Sequence, residues 1–175
     1  MEKWVSCPQK TSKTNKRTAL VFKGHFLHNL DSKNRISIPS KLKRFISPAA
    51  ENTLVLTKGV GLDEVGHCID LFPKDLFATI EENLSKLNQY NKNHARFIRV
   101  FLHSAEEQTM DGQSRVIIPP HLLEYAKIEK DVLILGSLNK IEFWNPVIYE
   151  QYEKASLDSF EDIAENVMQI NGQIS

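Results

Sequence analysis

The 175-residue chain balances 22 Lys+Arg against 22 Asp+Glu, with 41% apolar residues, seven Gly and seven Pro; such a composition is too apolar for wholesale disorder and suits one or two small soluble domains. No run approaches 18 consecutive apolar residues and the basic start Met1–Arg17 leads into no apolar core of leader length, so neither a membrane contact nor export is expected and the expected location is cytoplasmic. Cys7 and Cys68 are distant and form no C-x-x-C, which excludes a disulfide framework and a cysteine-only zinc site.

In chain order, residues 1–20 are polar and basic (Lys3, Lys10, Lys13, Lys16, Arg17) and are expected to be a disordered extension. Phe26–Leu30 and Arg35–Ile38 are short β-compatible runs around Asp31-Ser32-Lys33-Asn34, a turn composition in which Asn34 tolerates a left-handed backbone. Pro39 stops the second run, Lys41–Ile46 supplies a helical turn or two, and Leu54–Leu56 and Ile69–Phe72 make a strand pair joined by the loop Gly59–Gly66. Lys74–Leu87 and Asn93–Leu102 carry apolar residues at helical spacing, broken around Leu87–Asn91, and predict two linker helices. Beyond Trp144, Asn145-Pro146 reads as an N-cap with Pro at the first helical position, predicting a helix over Pro146–Lys154. A last amphipathic helix aligns Phe160, Ile163, Val167 and Ile170 on one face.

The segment Leu30-Asp31-Ser32-Lys33-Asn34-Arg35-Ile36-Ser37-Ile38-Pro39 recurs 80 residues later as Met110-Asp111-Gly112-Gln113-Ser114-Arg115-Val116-Ile117-Ile118-Pro119. The correspondence continues downstream: Leu42 answers Leu122, and Ile69-Asp70-Leu71-Phe72 answers Ile141-Glu142-Phe143-Trp144. The chain is therefore a tandem duplication. In the second unit the loop shrinks to Gly136–Lys140, a tighter hairpin. Half-units of about 45 residues bury little core alone, so the two copies are expected to fold into each other. The implied boundaries are 1–20 extension, 25–75 first unit, 76–103 helical linker, 104–147 second unit and 148–175 helical tail.

Residues 1–50 hold 11 Lys/Arg and two acids, net +9, whereas residues 51–175 hold 11 Lys/Arg and 20 acids, net −9. Such asymmetry points to a polyanion-binding region carried on an acidic body. Enzyme signatures are lacking. His25 and His28, three apart on a strand, point to opposite faces and suit no shared metal; Lys58-Gly59-Val60-Gly61 lacks the phosphate-loop ending; and no nucleophile elbow occurs. No catalytic residue, metal, cofactor or small-molecule substrate is therefore expected.

The recurring pairs Asp31/Arg35 and Asp111/Arg115 are the informative residues. An Asp four residues before an Arg across a tight turn can accept from turn N–H groups and hold the guanidinium as a fork suited to phosphate or guanine edges. Around Arg35 the sequence offers Lys33, Lys41, Lys43 and Arg44 with no acid but Asp31, which favours nucleic-acid contact. Arg115 is flanked in sequence by Glu106, Glu107 and Glu124, leaving turn-locking and DNA contact equally open for it. Asp31, Asn34 and Asp111 are assigned to supporting the turns.

The doubled pattern Φ-D-x-x-x-R-Φ-x-I-P (Φ apolar), with I-D-L-F-P and I-E-F-W closing the units and V-L-I-L-G between Asp131 and Ser137, resembles the MraZ family of tandem AbrB-type regulators across roughly Phe22–Lys154. The resemblance implies an α+β fold with a mainly β core, in which two AbrB-like swapped-hairpin units form an intrachain pseudo-dimer with linker and C-terminal helices. It also implies a nucleoid-associated, ring-like homo-oligomer that binds double-stranded DNA at short repeats upstream of a division and cell-wall gene cluster and represses there. The motif arginines fall on Arg35 and Arg115, and the basic stretch after the first I-P on Lys41, Lys43 and Arg44. The second I-P is followed by Pro120-His121-Leu122-Leu123-Glu124 without a basic pair, so the second unit is the weaker candidate for DNA contact. Relatives often carry Gly before the motif Arg; Ser114 accepts a positive φ less readily than Asn34, so the second turn is expected to differ in shape. An AbrB-type antitoxin or a scaffold that holds a partner through the last helix is the alternative function. Relatives begin near Phe22, so residues 1–20 are either a basic arm or the product of a start assigned upstream of Val21.

Overall fold

The computed structural model describes residues 21–59, 66–155 and 160–172. The proposed extension 1–20, with Cys7, and most of the loop before Gly66 lie outside the described residues.

The first unit contributes β1 (Phe22–Asn29), β2 (Arg35–Ser37), the short helix α1 (Ser40–Lys43), β3 (Thr53–Lys58) and β4 (Cys68–Pro73). Helices α2 (Lys74–Ser85) and α3 (Lys92–Ser104) follow. The second unit repeats the series as β5 (Glu106–Thr109), β6 (Arg115–Ile117), α4 (Pro120–Tyr125), β7 (Asp131–Leu138) and β8 (Lys140–Trp144), and the chain continues into α5 (Pro146–Ala155) and α6 (Phe160–Gly172).

The six long strands form one sheet in the order β1-β7-β8-β4-β3-β5, and β2 pairs with β6 as a separate two-stranded ribbon. Exchanging each first-unit strand for its second-unit counterpart maps this order onto its reverse, which is the signature of a pseudo-twofold. The units trade their first strands: β1 pairs along its length with β7, from Phe22↔Leu138 to Asn29↔Asp131, while β5 pairs with β3. Intrachain exchange also explains why β1 begins at Phe22 rather than Phe26. Its first residues alternate poorly as Phe-Lys-Gly-His, but β7 supplies a ladder partner and Phe22 itself is buried. At the Gly24↔Gly136 pair a Cβ on Gly136 would lie 2.3 Å from the Lys23 backbone nitrogen, so only glycine allows this approach.

Strand alternation splits the sheet into two buried faces. Leu54, Leu56, Ile69, Leu71, Val132, Ile134, Ile141 and Phe143 point to the front, where the ribbon residues Ile36, Ile38, Val116 and Ile118 close over them with Leu42 and Leu122. On the back, Val55 and Phe72 pack against Phe77 and Leu84 of α2 and Phe101 of α3. Further along that face Trp144 contacts Tyr149 and Tyr152 of α5. Asn145 caps α5 as expected, its Oδ1 accepting from the Val147 N–H at 2.9 Å.

The last helix forms, but its apolar stripe is not covered: Phe160, Ile163 and Val167 are exposed. The Ile170 side chain lies outside the described residues.

One polar cluster interrupts the back face at the pseudo-twofold. Asp70 of β4 stands opposite Glu142 of β8, and Lys140 Nζ bridges them at 2.9 Å to Asp70 and 3.0 Å to Glu142. Burial raises the Asp70 carboxyl to about 6 despite the ammonium beside it. The same desolvation raises the adjacent Cys68 thiol.

Candidate nucleic-acid interface

Each repeated motif folds into a turn built around its Asp. Asp31 Oδ1 accepts from the backbone N–H groups of Lys33 at 2.8 Å and Arg35 at 3.0 Å. Its Oδ2 takes Arg35 Nε and Nη2, both at 2.7 Å. Asp111 does the same: Oδ1 accepts from Gln113 and Arg115 N–H groups at 2.9 Å, and Oδ2 from Nε at 2.8 Å and Nη2 at 2.7 Å. The Arg35 backbone N–H, helped by the Lys33 N–H and the guanidinium, holds the Asp31 carboxyl down at about 2, and Asp111 is likewise lowered, first by the Arg115 side chain.

The two turns share one backbone shape. Asn34 sits at φ 57° and Ser114 at φ 61°, so the expectation of a differently shaped second turn is overturned. Each turn is closed by the same two hydrogen bonds, Asn34 N–H to the Asp31 carbonyl at 3.0 Å and Asp31 N–H to the Arg35 carbonyl at 3.0 Å, with 2.9 Å for both in the second copy. Six hydrogen bonds around the carboxylate and the turn stabilise a left-handed serine well enough to offset its modest steric cost.

The ribbon joins the turns. Ile38 N–H donates to the Ser114 carbonyl and Ile118 N–H to the Asn34 carbonyl, both at 2.9 Å. Arg35 pairs with Ile117 and Arg115 with Ser37, which makes the two arginines diagonal neighbours about 7–8 Å apart. Ile36 and Val116 point into the core, so both guanidinium groups stand on the outer face, equally accessible at 28% of their side-chain surface. A guanidinium carries five N–H donors. The Asp engages only its Nε/Nη2 side, leaving the Nη1 side directed away from the carboxylate.

The structure redistributes the basic residues that sequence placed around Arg35. Lys43 Nζ donates to Ser114 Oγ at 2.6 Å, so the helix after the first motif stands against the second turn. Arg44 lies over the Phe45 ring at 4.7 Å, while Lys33 and Lys41 are exposed. Of the acids near Arg115 in sequence, Glu106 lies 3.5 Å from His121 and Glu107 pairs with Lys74 at 2.9 Å, both on β5, and the carboxylate paired with Arg115 is Asp111. The antiparallel pairing of β2 with β6 is the cause, since the chain leaves the ribbon at Ile38 beside Ser114 and so carries α1 to the other unit's turn, and nothing in the linear sequence signals that transfer except the duplication itself. Among the described residues no group of three His, Cys, Asp or Glu is placed to hold a metal ion.

The model of the MraZ protein family, described as antitoxin-like, matches this chain twice in tandem, over residues 21–100 and 101–171. The chain belongs to the MraZ family. It is 36% identical over 150 residues to the transcriptional regulator MraZ of Clostridium tetani, covering 86% of this chain and 99% of that relative. The transcriptional regulator MraZ of Caldanaerobacter subterraneus subsp. tengcongensis is 38% identical over 148 residues, 85% and 97% of the two chains. That of Syntrophobacter fumaroxidans is 34% identical over 144 residues, 82% and 92%. The chain is thus a transcriptional regulator of the MraZ type, and the two family repeats coincide with the pseudo-twofold halves of the fold.

Proposed function

We propose that this chain binds double-stranded DNA sequence-specifically through the outer face of the β2–β6 ribbon and represses transcription at repeats upstream of a division and cell-wall gene cluster. The observation that carries the reading is the pair of pre-oriented guanidinium groups, Arg35 and Arg115, set diagonally on one exposed two-stranded ribbon. A B-DNA major groove about 12 Å wide admits such a ribbon, and an Arg fork matches the two acceptors on a guanine edge. Lys33, Lys41, Lys43 and Arg44 supply phosphate contacts that set orientation and affinity without reading sequence. The roles of Asp31, Asn34, Asp111 and Ser114 are to fix the forks. Each such face is small, so affinity comes from several of them on regularly spaced repeats in a ring-like homo-oligomer acting in the nucleoid.

The exposed apolar stripe of α6 favours a protein contact as well, either between copies of the chain or with a separate partner as in an antitoxin or scaffold.

A binding titration over a salt series tests the reading, using duplex DNA from upstream of the chain's own gene against a scrambled duplex. Tighter binding to the upstream DNA at every salt concentration is expected; equal affinity for both sinks the sequence-specific reading.

A further inference from the structure

Helix α3 belongs to the acidic part of the chain yet contains no Asp or Glu. Its Lys92, Arg96, Arg99 and His103 recur at spacings of four, three and four, which confines them to an arc of about 60° running about 16 Å along the axis. Phe101, which α3 buries against the sheet, lies about 170° around the helix from the middle of the arc, and Lys92, Arg96, Arg99 and His103 are all exposed, so the row faces outward. Among the described residues none of the three Lys/Arg of this row forms an ion pair with a carboxylate, unlike Lys74, Lys86 and Lys154 on the neighbouring helices. Like charges at i, i+3 and i, i+4 repel within an isolated helix. The row therefore costs the free protein stability that a polyanion would return.

At its C-terminal end the row opens into a cleft of about 770 Å³ lined by Arg99, His103, Lys58 and His121, with Glu106 the acid among its lining residues. Lys58 Nζ lies over the Tyr125 ring at 4.8 Å, and Glu106 faces His121. The cleft is built at the β5 edge of the sheet, where α4 of the ribbon layer and α3 of the back layer both reach it. Lys58 on the front and Arg99 on the back thus flank the edge strand, which itself carries Glu106 and Glu107.

We infer that the outer face of α3, with this cleft, is a second DNA-backbone contact, on the side of the sheet opposite the ribbon. It rests on the DNA-binding reading above and adds to it a surface that grips phosphates without reading bases, either of the same duplex bent around the sheet edge or of another duplex. The chemistry of the row suits such a grip, with three permanent cations on a rigid helix and no hydrogen-bonding scaffold of the kind that fixes Arg35 and Arg115.

The test uses the full chain carrying Lys92→Gln, Arg96→Gln and Arg99→Gln together. All three positions are exposed and Gln is a good helix former, so the thermal midpoint is expected to hold or to rise slightly as the like-charge repulsion is removed. Affinity for upstream and scrambled duplexes is measured across a salt series. Both should weaken by the same factor, at least tenfold at low salt, and the slope of log K against log salt should flatten by about 0.9 for each phosphate no longer neutralised. In parallel, Arg35→Ala/Arg115→Ala should lose preference for the upstream duplex while keeping the α3-dependent slope, and Arg35→Lys/Arg115→Lys covers the case in which the alanines fail to fold. An unchanged slope in the α3 variant overturns the inference whatever the ribbon variants do. A flattened slope in the α3 variant, together with a wild-type chain that shows no upstream preference, removes the ribbon reading and leaves the α3 contact standing. Tripolyphosphate that raises the melting point of the wild type but not of the α3 variant, with the DNA slope unmoved, assigns the cleft to a soluble phosphate ligand and overturns the DNA contact.

Discussion

Lys43 Nζ and Ser114 Oγ, 71 residues apart in sequence, lie 2.6 Å from each other, and this hydrogen bond couples the basic helix of the first unit to the arginine turn of the second. Lys43→Ala should weaken upstream and scrambled DNA alike and lower the salt slope by about one. In double-mutant cycles its coupling should be with Arg115→Ala, at about 0.5 kcal/mol or more, and near zero with Arg35→Ala. Coupling to Arg35 instead would return α1 to the turn of its own unit.

Arg35→Ala and Arg115→Ala should each cost roughly 1–3 kcal/mol of upstream-DNA binding per engaged subunit and reduce discrimination. Because the two turns are matched in hydrogen bonding, φ and exposure, the two losses should be of similar size. Isothermal titration of the two variants checks this, and an intact preference in Arg115→Ala would confine readout to the first unit.

A 22–76 fragment should not fold. It keeps β1 but loses β7, the strand with which β1 pairs over its whole length, and it exposes Ile36 and Ile38, which are closed off by Val116 and Ile118. Circular dichroism should show no cooperative melt; a sharp transition in a monomeric fragment would mean that the half-unit carries its own core.

Lys140→Met should destabilise the fold more than Lys43→Ala, Arg35→Ala or Arg115→Ala, by about 3–5 kcal/mol at neutral pH, since it leaves two facing carboxylates, one fully buried, without their shared cation. The sign of the pH dependence follows from Asp70. Its folded value, about 6, lies above the ordinary 3.8, so between about pH 4 and pH 6 the folded chain holds the extra proton and stability falls as pH rises. Denaturation midpoints should therefore improve for Lys140→Met when the pH is lowered from 7 to 5, and Asp70→Asn should flatten that slope. Asp31 acts in the opposite sense and lower down: held at about 2, it contributes stability above its unfolded value that is lost as the pH falls towards 2.

Much of this protein is written in local order. The duplication, the Asp–Arg turns, the Pro stops, the Asn145 cap and the alternation of Ile36 and Ile38 each depend on residues within a few positions of one another, and their physics is that of turns, caps and strand faces. The tertiary structure decided which unit each piece serves. Strand pairing across the units is invisible to periodicity because a ladder bond from β1 to β7, or from β2 to β6, leaves the same alternating pattern as one to a neighbouring strand, and so the sequence grouped Lys43 with Arg35 and left Arg115 among acids of which Glu106 and Glu107 in space meet His121 and Lys74. It likewise treated α3 as a linker, since a row of cations becomes a surface only when Phe101 and its neighbours fix which side of the helix is buried. The sequence determined the parts and their symmetry; packing across the pseudo-twofold, where each half buries the apolar face the other cannot bury alone, determined their partners.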